Sequence, residues 1–157
     1  MAHIHLTTFM QAPVKRVFDL SRSISLHKLT MALNKEKAIA GVTTGLISEG
    51  ETVTWQAKHL FKTRIFCTKI LIMKSPDFFT DEMIKGDFKS FVHEHHFKQV
   101  NNGTIMIDVV DFESPYGFAG EFFNKIYLIK YMTKLLTKRN NLIKEYAETA
   151  KWKAIIN

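Results

Sequence analysis

The stretch FVHEHHFKQVNNGTIMIDVVDFESP, Phe91 to Pro115, decides how this chain is read. Two alternating runs, residues 91–99 and 104–113, flank Asn102-Gly103, the strongest short-range hairpin signal. A two-residue turn centred there sets Gln99 opposite Met106, Phe97 opposite Asp108, His95 opposite Val110 and His93 opposite Phe112. One face then carries Phe91, His93, His95, Phe97, Met106, Asp108, Val110 and Phe112; the other carries Glu94, His96, Lys98, Ile107, Val109 and Asp111. Side chains alternate with a period of two, so an even change of register keeps these sets intact and an odd slip mixes them. The first face is aromatic and mostly apolar, yet it holds two histidines and a carboxylate. A face built only for packing would not choose those three, so a pocket with a few polar groups is expected.

Upstream, residues 2–10 alternate as a first strand, and Pro13 stands where a helix can begin without losing a hydrogen bond. Val14, Val17, Phe18 and Leu20 give that helix its apolar stripe, and Ser25 is the expected N-cap of a second helix carrying Leu26, Leu29 and Leu33. Four more strands are expected over residues 38–47, 51–59, 63–74 and 78–85. Their links are short and carry turn residues: Glu49-Gly50, Ser75-Pro76-Asp77 and Gly86-Asp87. Links this short imply an antiparallel meander, because parallel strands need long crossovers.

Beyond Ser114-Pro115-Tyr116-Gly117, a helix is expected over residues 118–151. Phe122, Ile126, Ile129, Thr133, Leu136, Asn140, Ile143 and Ala147 recur at steps of three and four, with Lys125, Lys134, Lys138 and Lys144 mainly elsewhere. The order of strand, two helices, six strands and one long helix predicts an α+β chain. Its antiparallel sheet, of six to seven strands, curves around the final helix.

The 157 residues fit one domain, 1–157, with 46% hydrophobic and 24% charged residues, the balance of an ordinary globular chain. MAHIHLTTFM lacks the basic region and apolar run of a secretory signal, and no stretch approaches the roughly 18 apolar residues that span a bilayer. Cys67 is the sole cysteine and has no internal partner, which fits a cytoplasmic location. The formal charge of +7 favours anionic surroundings, but the lysines are dispersed, so no specific nucleic acid is expected as a partner. A transient membrane contact is the further expectation, through Tyr116, Phe118, Phe122 and Phe123 or the basic-aromatic end Lys151-Trp152-Lys153, which is read as a frayed tail.

With these residues in this order, the chain resembles the START-like or SRPBCC superfamily, the helix-grip fold shared by the birch pollen allergen, polyketide cyclases and lipid-transfer domains. APVKRVFDLSRSISLH, AIAGVTTGLISEGETVTWQAKH, DEMIKGDFKSFVHEHHF, DFESPYG and KYMTKLLTKRN carry the likeness, which extends to a bacterial subgroup termed cell-division inhibitor-like. Phe61-Lys62 departs from the glycine that this subgroup has soon after the histidine of TVTWQAKH. The resemblance implies a cavity between the sheet and the last helix that holds a small hydrophobic ligand, a lipid or an aromatic polyketide-like molecule, without a cofactor. It adds Trp55 and His59 to the wall formed by Phe91, His93, His95, Phe97, Met106, Asp108, Val110 and Phe112.

For His93, His95 and Asp108, three roles stand open: orienting a ligand, forming a structural polar network, or moving a proton as in a cyclase or dehydratase. Asp108 is expected diagonal to His95, within reach directly or through a water. His-x-His on a strand could also share a metal, with His59 or Asp108 completing the set, but the pattern is weak by itself and no metal is assigned.

Overall fold

The structure, a computed structural model, describes residues 1–30, 32, 35–59, 61–114 and 121–156; the side chains of residues 59 and 121–124 lie outside the described set. The aromatic lip expected at Tyr116, Phe118, Phe122 and Phe123 therefore falls outside it, as do Leu33 and the side chain of His59.

Strand β1 (Ala2–Met10) leads into helices α1 (Val14–Ser21) and α2 (Ile24–Thr30). The meander follows as β2 (Lys37–Gly41), β3 (Thr52–His59), β4 (Lys62–Lys74), β5 (Phe78–Lys85), β6 (Ser90–Val100) and β7 (Gly103–Glu113). Helix α3 (Glu121–Glu148) is followed by a 3-10 turn (Ala150–Trp152) and the short α4 (Lys153–Ile156). All seven strands form one antiparallel sheet in the order β1-β7-β6-β5-β4-β3-β2. Each strand from β2 to β7 thus pairs with its sequence neighbour, as the short links demand, and β1 closes onto β7. Register shifts interrupt the β4–β5 pairing at Cys67/Thr68 and Ile70/Ile72 and the β2–β3 pairing at Ala38/Ala40. Such bulges increase local twist and bend the sheet, giving it an inner face.

The two faces of the β6–β7 hairpin separate as the alternation requires: Phe91, His93, His95, Phe97, Met106, Asp108, Val110 and Phe112 are all buried. The register differs from expectation by two residues. Phe97 lies opposite Met106, His95 opposite Asp108, His93 opposite Val110 and Phe91 opposite Phe112. Val100 pairs with Gly103, so the turn is Asn101-Asn102. Gly103 is a strand residue, and its lack of a side chain serves packing: a Cβ there would collide with the Met10 carbonyl oxygen. The Asn-Gly signal thus reflects the close approach of β1, and the even shift left the faces unmixed.

Other boundaries moved for local reasons. The strand expected over 38–47 ends at Gly41, whose φ of 73° turns the chain away. Ser23, not Ser25, caps α2, its Oγ accepting from the Leu26 amide at 3.1 Å. Ser25 instead accepts from the Gly45 amide through its Oγ at 2.9 Å, tying α2 to the loop after β2. The long helix stops at Glu148, and the segment beyond is not frayed: Trp152, Ile155 and Ile156 pack against the main core, and the Arg16 guanidinium lies 4.4 Å over the Trp152 ring.

The core has two parts. The larger joins Met10, Val17, Phe18, Leu20, Trp55, Phe79, Phe97, Met106 and Ile143, with Phe18 edge-on to both Phe79 and Phe97. The smaller joins Ala2, Ile4, Phe91, Val110, Phe112 and Leu136. The histidine pair stands between these two clusters along β6.

Candidate functional site

Between the inner face of β3–β6, helix α2 and the middle of α3 lies a cavity of about 250 Å³. Trp55, Ile70, Phe79, Phe91, Leu128 and Leu136 supply its apolar wall, and Asp81, His93, His95 and Arg139 face it as polar groups. Its volume corresponds to roughly eight waters and sits just below the roughly 300–1,000 Å³ of pockets that enclose drug-sized ligands.

Of the residues expected at the wall, Trp55, Phe91, His93 and His95 line this space. Phe97, Met106, Asp108, Val110 and Phe112 do not. Phe97 and Met106 belong to the larger core and Val110 and Phe112 to the smaller, while Asp108 is 0% exposed behind the histidines. The physical reason is the curvature of the sheet: one face of two adjacent strands runs past the cavity into solid packing at both ends. Trp55 is 3% exposed within the core while also contributing to the wall.

Asp108 is the electrostatic centre of the cluster. Its Oδ1 accepts from His93 Nε2 at 2.8 Å and from Arg139 Nη1 at 3.3 Å, and its Oδ2 accepts from Asn140 Nδ2 at 2.7 Å. Asn140 completes a consistent set, its Oδ1 accepting from Arg139 Nη1 at 3.3 Å and its amide also reaching Thr8 Oγ1 at 3.2 Å. Arg139 further donates to the Ser21 carbonyl at 3.1 Å. Burial pushes the Asp108 carboxyl up, but His93, His95 and the Arg139 charge outweigh it and hold the carboxyl well below its ordinary range.

His95 lies directly opposite Asp108, not diagonal to it. Its Nε2 bonds Asp81 Oδ2 at 2.9 Å, while its Nδ1 lies 3.2 Å from Asp108 Oδ1, out of line for a hydrogen bond. The ring stacks on Phe79 with centroids 4.1 Å apart and meets the His93 ring at 3.7 Å. Burial and the neighbouring His95 push His93 below the ordinary histidine value, against the pull of Asp108. Burial raises Asp81, but its bond to His95 and the surrounding positive charge bring it below its usual value.

Asp81 and Arg139 were not singled out in the sequence. Asp81 had a signal: Phe79, Asp81 and Met83 share one face of β5, which puts a carboxylate between two apolar neighbours. Arg139 had almost none: the helical stripe puts Asn140 inward and Lys138 elsewhere, but the burial of Arg139 between them is settled only by tertiary placement. Among the described residues, Asp81 groups with the two histidines, with one ligating atom from each of the three within 4.8 Å of the others. The His93–Asp108 and His95–Asp81 hydrogen bonds occupy Nε2 of each histidine, so a cation held at those nitrogens would have to displace both.

No helix among the described residues is long and apolar enough to cross a membrane. No family model matches the chain, and no curated protein matches it. Solved structures do. A protein from Thermus thermophilus superposes with a TM-score of 0.70 at 14% identity, over 90% of this chain and 96% of that one. The ginseng major latex-like protein 151 from Panax ginseng gives 0.67 at 13%, over 93% and 97%. Ara h 8.0201 gives 0.61 at 13%, over 92% and 96%. At such identities the likeness speaks for the architecture and not for the chemistry of individual residues. The curved seven-stranded sheet gripping a long C-terminal helix is therefore the helix-grip fold of the START-like, Bet v 1-like proteins.

Proposed function

We propose that the protein, folded as one domain over residues 1–157 and working in the cytoplasm, binds a small hydrophobic molecule between its sheet and α3. The observation that carries this reading is the cavity itself: about 250 Å³ walled by Trp55, Ile70, Phe79, Phe91, Leu128 and Leu136, with convergent polar groups at His93, His95 and Asp81. A wall of that kind gains free energy from excluding water, while the few polar groups fix the orientation of the guest. The volume favours a compact aromatic or polyketide-like guest over a long-chain lipid. The likeness to the cell-division inhibitor-like bacterial subgroup is compatible with this reading and supplies no mechanism of its own.

The test is binding of a solvatochromic naphthalene dye to the whole chain and to Met132→Trp, which places an indole where Met132 lines the cavity. The native chain should take up the dye and the variant should not, with the two melting alike. A native chain that leaves the dye dark, or a variant that binds it as well, defeats the proposal.

One observation favours a second reading, proton transfer. The His95–Asp81 pair faces the cavity while His93 is held by a buried carboxylate, an arrangement in which one imidazole can exchange a proton with a guest. On this reading Asp81→Asn abolishes turnover of an enolisable guest while dye uptake persists. Asp108 takes no direct part, because it is sealed behind the rings.

A further inference from the structure

The hydrogen-bond chain behind the cavity fixes more than the shape of the guest. Asp108 receives donors on both oxygens, from Asn140 Nδ2 at 2.7 Å and from His93 Nε2 at 2.8 Å, with Arg139 at 3.3 Å. An ionised carboxylate accepts only, so the proton of the His93–Asp108 bond belongs to His93 Nε2. A neutral imidazole protonated at Nε2 carries a lone pair at Nδ1. Among the described residues His93 Nδ1 has no protein partner, and the sole fully buried, unpartnered side-chain nitrogen or oxygen is His95 Nδ1. His93 Nδ1 is therefore open to the cavity that His93 lines. Burial disfavours the imidazolium and so agrees with a neutral ring, whose tautomer the Asp108 acceptor fixes.

The charges around the cavity point the same way. Its arginines are each committed to a carboxylate: Arg139 to Asp108, Arg22 to Asp19 at 2.9 Å, and Arg64 to Asp87. Asp81 adds a further carboxylate at the histidine pair. An anionic head group would find no uncommitted arginine here, and the carboxylates of Glu36, Asp81 and Asp87 among the lining residues.

We infer that the guest is a compact, neutral aromatic whose polar end is a hydrogen-bond donor of the phenol type, received by Nδ1 of His93. This rests on the cavity reading above and narrows it, because a carboxylate guest such as a fatty acid lacks the donor and carries the wrong charge. The phenol hydroxyl donates to His93 Nδ1, His93 Nε2 donates to Asp108, and the ring lies against the aromatic wall of Trp55, Phe79 and Phe91.

The experiment is calorimetric titration of the native chain at pH 7.5 with 2-naphthol, 2-methylnaphthalene and 2-naphthoate. The first two differ by hydroxyl against methyl at nearly equal size, and a purely apolar cavity prefers the methyl compound. The inference expects 2-naphthol to bind about ten-fold or more tightly than 2-methylnaphthalene, the order expected when a buried acceptor loses its donor. It expects 2-naphthoate to bind weakest. Equal or tighter binding of 2-methylnaphthalene overturns the donor inference and leaves the cavity reading standing, as does tightest binding of 2-naphthoate. Failure of all three to bind overturns both. Histidine side-chain ¹⁵N spectra of the same protein supply an independent check without a variant. His93 should carry its proton on Nε2, and its Nδ1 resonance should move with 2-naphthol and stay put with 2-methylnaphthalene; a proton found on Nδ1 of the free protein overturns the inference.

Discussion

Removing the Asp108 carboxylate tests the electrostatic account of the site most severely. In Asp108→Ala, Arg139 keeps its charge in a position 7% exposed but loses its carboxylate, retaining only the Ser21 carbonyl and the Asn140 side chain as acceptors. His93 Nε2 and Asn140 Nδ2 lose their 2.8 Å and 2.7 Å acceptor as well. Breaking a buried charge pair from one side costs about 3–5 kcal/mol, chiefly because the other charge stays buried. For a chain of this size that is a fall in Tm of roughly 10–15 °C. Urea denaturation at pH 7.5, followed by circular dichroism, reads the loss as a shift in midpoint at constant slope. The double variant Asp108→Ala/Arg139→Met removes the stranded charge and should recover about 1–2 kcal/mol relative to the single variant. A single variant within about 1 kcal/mol of the parent, or a double variant as damaged as the two singles combined, refutes the account.

Other consequences are open to direct measurement. The folded state holds both Asp108 and His93 below their ordinary values of 3.8 and 6.5. In both cases the unfolded chain takes up the proton first. Stability from His93 is therefore intact above about pH 6.5 and is lost as pH falls below it; that from Asp108 fades below about pH 4. Each contributes a slope of up to about 1.4 kcal/mol per pH unit, and His93→Gln should flatten the stability profile between pH 6.5 and 5; an unchanged profile would contradict the burial argument. Gly103→Ala drives a methyl into the Met10 carbonyl and should cost about 2–3 kcal/mol in denaturant titration, while Asn102→Ala should stay within about 0.5. Phe61 is 96% exposed at φ 67°, so Phe61→Gly relieves a left-handed backbone and should stabilise by about 1 kcal/mol; a loss would mean the ring has a contact that holds it. Truncation after Glu148 removes Trp152, Ile155 and Ile156 from the core and should lower stability by about 2–4 kcal/mol, whereas an unaffected melt would restore the frayed-tail reading.

The glycine absent after His59 shows how local rules and local structure can agree. The departure from the subgroup's pattern at Phe61 coincides with a positive φ, the conformation for which a glycine would be the natural choice. The hairpin shows the opposite. Asn102-Gly103 reads as a turn on any local criterion, yet Gly103 is retained for a contact with Met10, at the far end of β1. Ser23 and Ser25 are equally good caps by composition, and only the path of the loop after β2 makes one the cap of α2 and the other the anchor of that loop.

The order of elements, the antiparallel meander and the inward set of the β6–β7 hairpin were all legible in the residues themselves. Those follow from periods of two and 3.6 and from link lengths, which are properties of neighbouring residues. Which inward residues meet a guest and which fill the core emerged only once the chain was folded. Folding brought Asp81 from β5 and Arg139 from α3 to the histidines, and it set Asp108 behind them. Alternation tells which side of a strand faces in, but the depth of a side chain beneath the sheet depends on how far the sheet bends toward the helix, which is a sum over every strand.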